Sequence, residues 1–211
     1  MDDLPRLLYL QEIQAQCRMA IIAFDSLSQW PTGYPSGRTH EEGAVKAAAF
    51  FRDVHSMLTH AGVISRLLWP AGRQQETRQQ RAAELRELLG LPSSKHLLCD
   101  RALRDALEHF DERLDEWTAR KEAPRDYWQD CIMPWEVPQR HGAKDHNLMR
   151  HFDPESDVFR FQGKPVHLPT MGHAVEALKR SVDFEVAQLR ALLYPTPEHV
   201  VSPEFPSVMP S

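Results

Sequence analysis

Apolar residues recur at spacings of three and four along most of this chain, and that period constrains its fold more than any other feature. Leu7, Leu10, Ile13, Cys17, Ile21, Phe24 and Leu27 form one stripe, which predicts a helix over residues 6–29. The segment WPTGYPSG (30–37) interrupts the pattern with two prolines and two glycines. Thr39, followed by Glu41 and Glu42, reads as a cap with acids in the first turn of a second helix, 41–68. A third helix, 74–89, ends at Gly90-Leu91-Pro92. A fourth begins between Ser93 and Asp100 and runs to Lys121, with Leu103, Leu107, Phe110, Leu114 and Trp117 as its core face. A fifth, 171–193, buries Ala174, Leu178, Val182, Val186 and Leu189. Five helices, three of them with such a stripe, predict an all-α, four- to five-helix up-down bundle.

One stretch breaks the period. Within residues 124–170, VFRF (158–161), the turn QGK (162–164) and PVHL (165–168) read as a small β-hairpin inserted before the last helix. Tyr127, Trp128 and Trp135 are expected to pin this connection to the bundle. The chain thus divides into one helical domain, 1–194, carrying the 124–170 insert, and a proline-rich tail, 195–211.

Charge and cysteine usage narrow the function classes. The net charge of −5 argues against a protein coated with basic charge for avid, non-specific nucleic-acid binding. It leaves room for a local basic edge, and Arg66, Arg73, Arg78 and Arg81 supply one around a single acid, Glu76. The three cysteines, Cys17, Cys99 and Cys131, are far apart and form no CxxC pair. With no apolar run long enough for a membrane span, a cytoplasmic chain is expected. His141, Asp145, His146, His151 and Asp153 form a compact group, but their spacing fits no standard metal site.

The fourth helix carries the most informative constellation, Arg104-Asp105-Ala106-Leu107-Glu108-His109. Asp105 and His109 stand four residues apart, so a continuous helix makes them neighbours on the face turned from the core, with Arg104 on the flank. Histidine is the side chain best suited to move protons near neutrality. Arginine presents a fixed fork of donors to phosphate oxygens. The pattern resembles the R-x(4–6)-H signature of the HEPN superfamily, all-α domains of which many are metal-independent endoribonucleases. The resemblance covers residues 6–122 and the last helix; the hairpin and tail lie outside it. It implies RNA as substrate, no cofactor, and a homodimer in which two motifs face each other. It also implies membership of the kind of bacterial toxin or phage-defence system in which a partner protein such as an antitoxin occurs. His109 would be the acid/base group, Arg104 the phosphate clamp and Asp105 the orienting residue, with Arg66, Arg73, Arg78 and Arg81 holding RNA. The same residues fit a second reading, a non-catalytic helical module that dimerises or binds a partner or nucleotide through this face.

Overall fold

The structure, a computed structural model, describes residues 1–30, 40–72, 76–100, 109–120 and 127–195. The expected cap at Thr39, the break beyond Trp30 and the tail beyond Pro195 lie outside the described residues. The long helices form where the stripes place them: α1 (Asp3–Ser28), α2 (His40–Leu68), α3 (Glu76–Leu88) and a final helix, here α6 (Leu168–Leu193). On α1 the buried positions Leu7, Leu10, Ile13, Cys17, Ala20 and Ala23 keep the three-and-four spacing. Gln14 is buried with them because its amide donates to Asp183 on α6 at 2.7 Å, and Lys179 reaches the same carboxylate at 2.6 Å. Helices α1 and α6 run antiparallel: Gln14 meets Asp183 at one level, and Phe24 meets His173 edge-on at 5.8 Å at another. A Cβ at Gly172 would stand 2.6 Å from the Phe24 ring, so glycine is what lets the two helices approach there.

Helix α3 is tied to the end of α2. Arg81 and Arg86 donate to the carbonyls of Leu67 and Leu68, and Gln79 donates to those of Pro70 and Gly72. The final carbonyls of a helix have no partner within it, so these side chains act as its C-terminal cap. Trp69 then stacks on His96 at 5.1 Å and donates to the Pro92 carbonyl, fixing the chain before a single 3₁₀ turn, Leu97–Cys99.

The expected all-α bundle is overturned by the stretch before α6. Besides its helices the chain holds a four-stranded mixed sheet, β1 (Trp128–Ile132), β2 (Leu148–Asp153), β3 (Val158–Phe161) and β4 (Lys164–His167), in that order. The molecule is therefore mixed α and β. The hairpin β3–β4 is the element the sequence announced. Gln162 (φ 46°) and Gly163 (φ 81°) form its two-residue turn, the left-handed geometry that a tight hairpin requires. The other two strands carry no such mark. β2 reads LMRHFD and is buried at five of its six positions, so its two faces do not alternate. Its parallel pairing with β1 needs a crossover, supplied by helix α5 (Glu136–Arg140) and a 3₁₀ turn, Asp145–Asn147.

The sheet shares the core of the helices. Phe152 and Phe159 are register partners on one face; Phe152 lies 4.6 Å from Phe50 and Phe159 lies 6.1 Å from Phe51, both on α2. On the opposite face His151, wholly buried, donates from Nε2 to the Met133 carbonyl at 2.9 Å and meets Trp135 edge-on. Trp135 in turn lies under the Arg160 guanidinium at 4.3 Å. Tyr127 packs on Trp117 and so pins the insert to a helix outside it as expected, whereas the rings of Trp128 and Trp135 meet His141, His151 and Arg160 within the insert itself.

Candidate functional site

The fourth helix differs from its expected form. Its described part, α4, is Phe110–Thr118, and His109 precedes it at φ −107°, ψ 44°, outside helical geometry. The helix therefore does not run unbroken through His109. The local sequence explains the start: Asp111 and Glu112 occupy the first turn, where the exposed N–H groups favour negative charge. Arg104 and Asp105 lie outside the described residues, as do Leu103 and Leu107.

His109 itself is open to solvent. Its side chain is 55% exposed, and Nδ1 stands 3.4 Å from the Glu112 carboxylate, itself 66% exposed. An imidazolium at this position would have a carboxylate beside it. The inward side of α4 packs against the sheet, where a helix-to-helix seam was expected. The Phe110 ring lies 5.8 Å from Phe161 on β3. Gln162, at the hairpin turn, donates to the Arg113 carbonyl at 2.8 Å. Further along, Trp117 and Arg120 both donate to the His146 carbonyl, at 3.0 and 3.2 Å.

The structure does not bring the basic edge to this histidine within one chain. Arg66 stands exposed in the last turn of α2, and Arg78 is exposed on α3. Arg81 lies over the Tyr9 ring at 4.8 Å while it caps α2 at Leu67. Arg78, Arg81 and Tyr9 line a cleft of about 510 Å³ between α1 and α3. Arg73 lies outside the described residues. The neighbourhood of His109 is reached from the other half of α2, because Arg150 contacts both Phe110 and Phe51. From Phe51 to Leu67 is about 24 Å along the helix at about 1.5 Å per residue.

Arg150 is the residue that sequence reading missed. It forms two bonds to Asp130, at 2.5 and 3.1 Å, across the β1–β2 register, and its guanidinium lies 5.8 Å from the Phe51 ring and 5.4 Å from the Phe110 ring. His55, one turn beyond Phe51 on α2, has its pKa lowered, first by burial and then by the Arg150 charge. No local spacing links residues 51, 110, 130 and 150, so only the tertiary fold reveals the group.

The histidine-rich loop does not assemble as a ligand set. His151 is on the buried face of the sheet, and the Asp153 carboxylate accepts from the Glu155 N–H and the Ser156 hydroxyl. Among the described residues no three His, Cys, Asp or Glu side chains converge as metal ligands. Cys17 and Cys131 are buried thiols, each pushed up to about 12, chiefly by burial, which makes them poor nucleophiles. Among the described residues no helix is long and apolar enough to cross a membrane. Comparison with family models, with curated proteins and with solved structures returns no match.

Proposed function

We propose that this chain is a metal-independent endoribonuclease of the HEPN type. The observation that carries the reading is an exposed histidine, His109, at the head of a polar helix and preceded in sequence by Arg104-Asp105. In this reading a ribose 2′-hydroxyl attacks the adjacent phosphorus and the bond to the 5′-oxygen breaks. The products are a 2′,3′-cyclic phosphate and a 5′-hydroxyl. His109 takes the 2′-proton or returns one to the leaving oxygen. Arg104 holds the phosphoryl oxygens as negative charge gathers on them. Asp105 orients one of the two. Arg66, Arg78 and Arg81, remote from His109 in one chain, would touch flanking RNA or serve the site of a second copy.

The test is cleavage of a mixed RNA substrate in EDTA by the wild-type chain and by His109→Ala. The expected result is a loss of at least about a hundredfold in the variant, with its circular dichroism unchanged. Equal cleavage by both proteins would overturn the assignment.

The second reading, a module that dimerises without cutting, draws on a different observation. Leu4, Leu8, Met19 and Ile22 project from the outer side of α1 and remain 49, 58, 37 and 69% exposed. Such an apolar stripe suits a second copy of the chain. A dimer by light scattering, joined with no cleavage of any RNA, would favour this reading over the nuclease.

A further inference from the structure

The proposed site depends on where α4 begins, and one side chain outside the motif reaches that point. Arg150 bridges three elements here: Asp130 on β1 through two hydrogen bonds, Phe51 on α2 through one ring, and Phe110 on α4 through another. Its side chain is 19% exposed against 38% for that of Asp130, so the guanidinium is largely covered while the carboxylate stays open to solvent. A planar guanidinium can hold a carboxylate at its edge and aromatic rings on its faces at the same time; an ammonium cannot. Phe110 is the first residue of α4 and follows His109 directly.

We propose that Arg150 is a positioning residue for His109: its guanidinium, oriented by Asp130, fixes Phe110 and thereby sets where the imidazole stands. The inference rests on the nuclease reading for its consequence in catalysis, and on contacts within the chain for its structural half. The rest of α4 is secured separately, by Gln162 at the Arg113 carbonyl and by Trp117 at the His146 carbonyl. Removing the Arg150 contact leaves Phe110 held by the Phe161 ring, so the beginning of the helix is loosened while its end stays docked. A small misplacement of a reacting group is costly, because the reaction requires near-contact geometry.

Three variants test this, Arg150→Met, Arg150→Lys and the control Asp183→Asn in the bundle. Two readings are taken on each: kcat and KM for RNA cleavage, and the NMR resonances of the His109 imidazole, assigned by their absence in His109→Ala. Arg150→Met is expected to lower kcat by about tenfold to a hundredfold, with KM within about twofold of wild type, and to move the His109 resonances. The Trp117 indole N–H signal stays in place. Arg150→Lys keeps the charge but loses the two-bond grip on Asp130, and falls between. It serves as the decisive variant should Arg150→Met fail to fold. Asp183→Asn leaves both readings unchanged. His109 resonances and kcat that stay at wild-type values in a folded Arg150 variant would overturn the proposal. A wild-type chain that cuts no RNA would remove the nuclease reading alone, since the His109 resonances then decide the positioning role.

Discussion

Phe159→Ala lowers stability by about 3–5 kcal/mol and melts helices and sheet in one transition. Phe159 has no exposed surface. Its ring packs on Phe51 of α2, and its register partner Phe152 packs on Phe50. Truncation leaves a cavity exactly where the two layers meet, and neither layer can close it without losing other ring contacts. Far-UV circular dichroism follows the helices, while part of the tryptophan fluorescence follows the insert through Trp128 and Trp135. The two signals are expected to fall together at a midpoint well below that of wild type. A variant in which fluorescence changes early while helical signal keeps the wild-type midpoint would mean that the sheet is an appendage with its own stability.

His151 gives the second large effect, through pH. Its imidazole is buried against Trp135, and its pKa is pushed down from the ordinary 6.5 to about 4, first by burial and then by the Arg160 charge. The Met133 carbonyl, which accepts from Nε2, and Asp153 oppose the shift. The native state therefore binds this proton less readily than the unfolded chain. Above pH 6.5 the histidine is neutral in both states and its contribution is fully present. As pH falls from 6.5 towards about 4, the unfolded chain takes up the proton first, and stability drops by about 3 kcal/mol across that window. Urea unfolding at about pH 7 and about pH 4 should show this loss in wild type. In His151→Gln, which can still donate to the Met133 carbonyl but cannot titrate, the decline is shallower by that amount. His55, His60 and His96, also lowered by burial, and the depressed carboxylates of Glu84 and Asp183 contribute equally to both proteins and cancel in the comparison. Parallel declines in the two proteins would contradict the buried, neutral state of His151.

The helices were legible because each buries one stripe. Leu7 to Ala23 on α1 and Leu168 to Leu189 on α6 keep their period over many turns, and the boundaries fall within a few residues of those the spacing predicts. The hairpin was legible because Gln162-Gly163 sits between two short runs of strand-forming residues. Strands β1 and β2 were not. Leu148 to Asp153 mixes an arginine, a histidine and an aspartate with three apolar residues, and nearly all of them are buried. Arg150 is sheltered by its pairing with Asp130 and His151 by its bond to Met133, partners distant in sequence. Polar residues buried through tertiary partners erase the alternation on which a strand is recognised. The site divides in the same way. The phase of a continuous helix turned His109 from the core, and its side chain is exposed, but its place before the helix, and the contact of Arg150 with the next residue, depend on the fold that joins residues 51, 110, 130 and 150.

The chemistry of the cut ends is the most direct test of the account. RNA digested by the wild-type chain in EDTA would be analysed for the groups left at each break. Attack by the 2′-hydroxyl with His109 moving the proton leaves 2′,3′-cyclic phosphate upstream and a free 5′-hydroxyl downstream, and His109→Ala yields neither. Fragments ending in 3′-hydroxyl and 5′-phosphate would show that water, not the ribose, attacks, and would contradict the mechanism; so would cyclic phosphate ends produced equally well without the His109 imidazole.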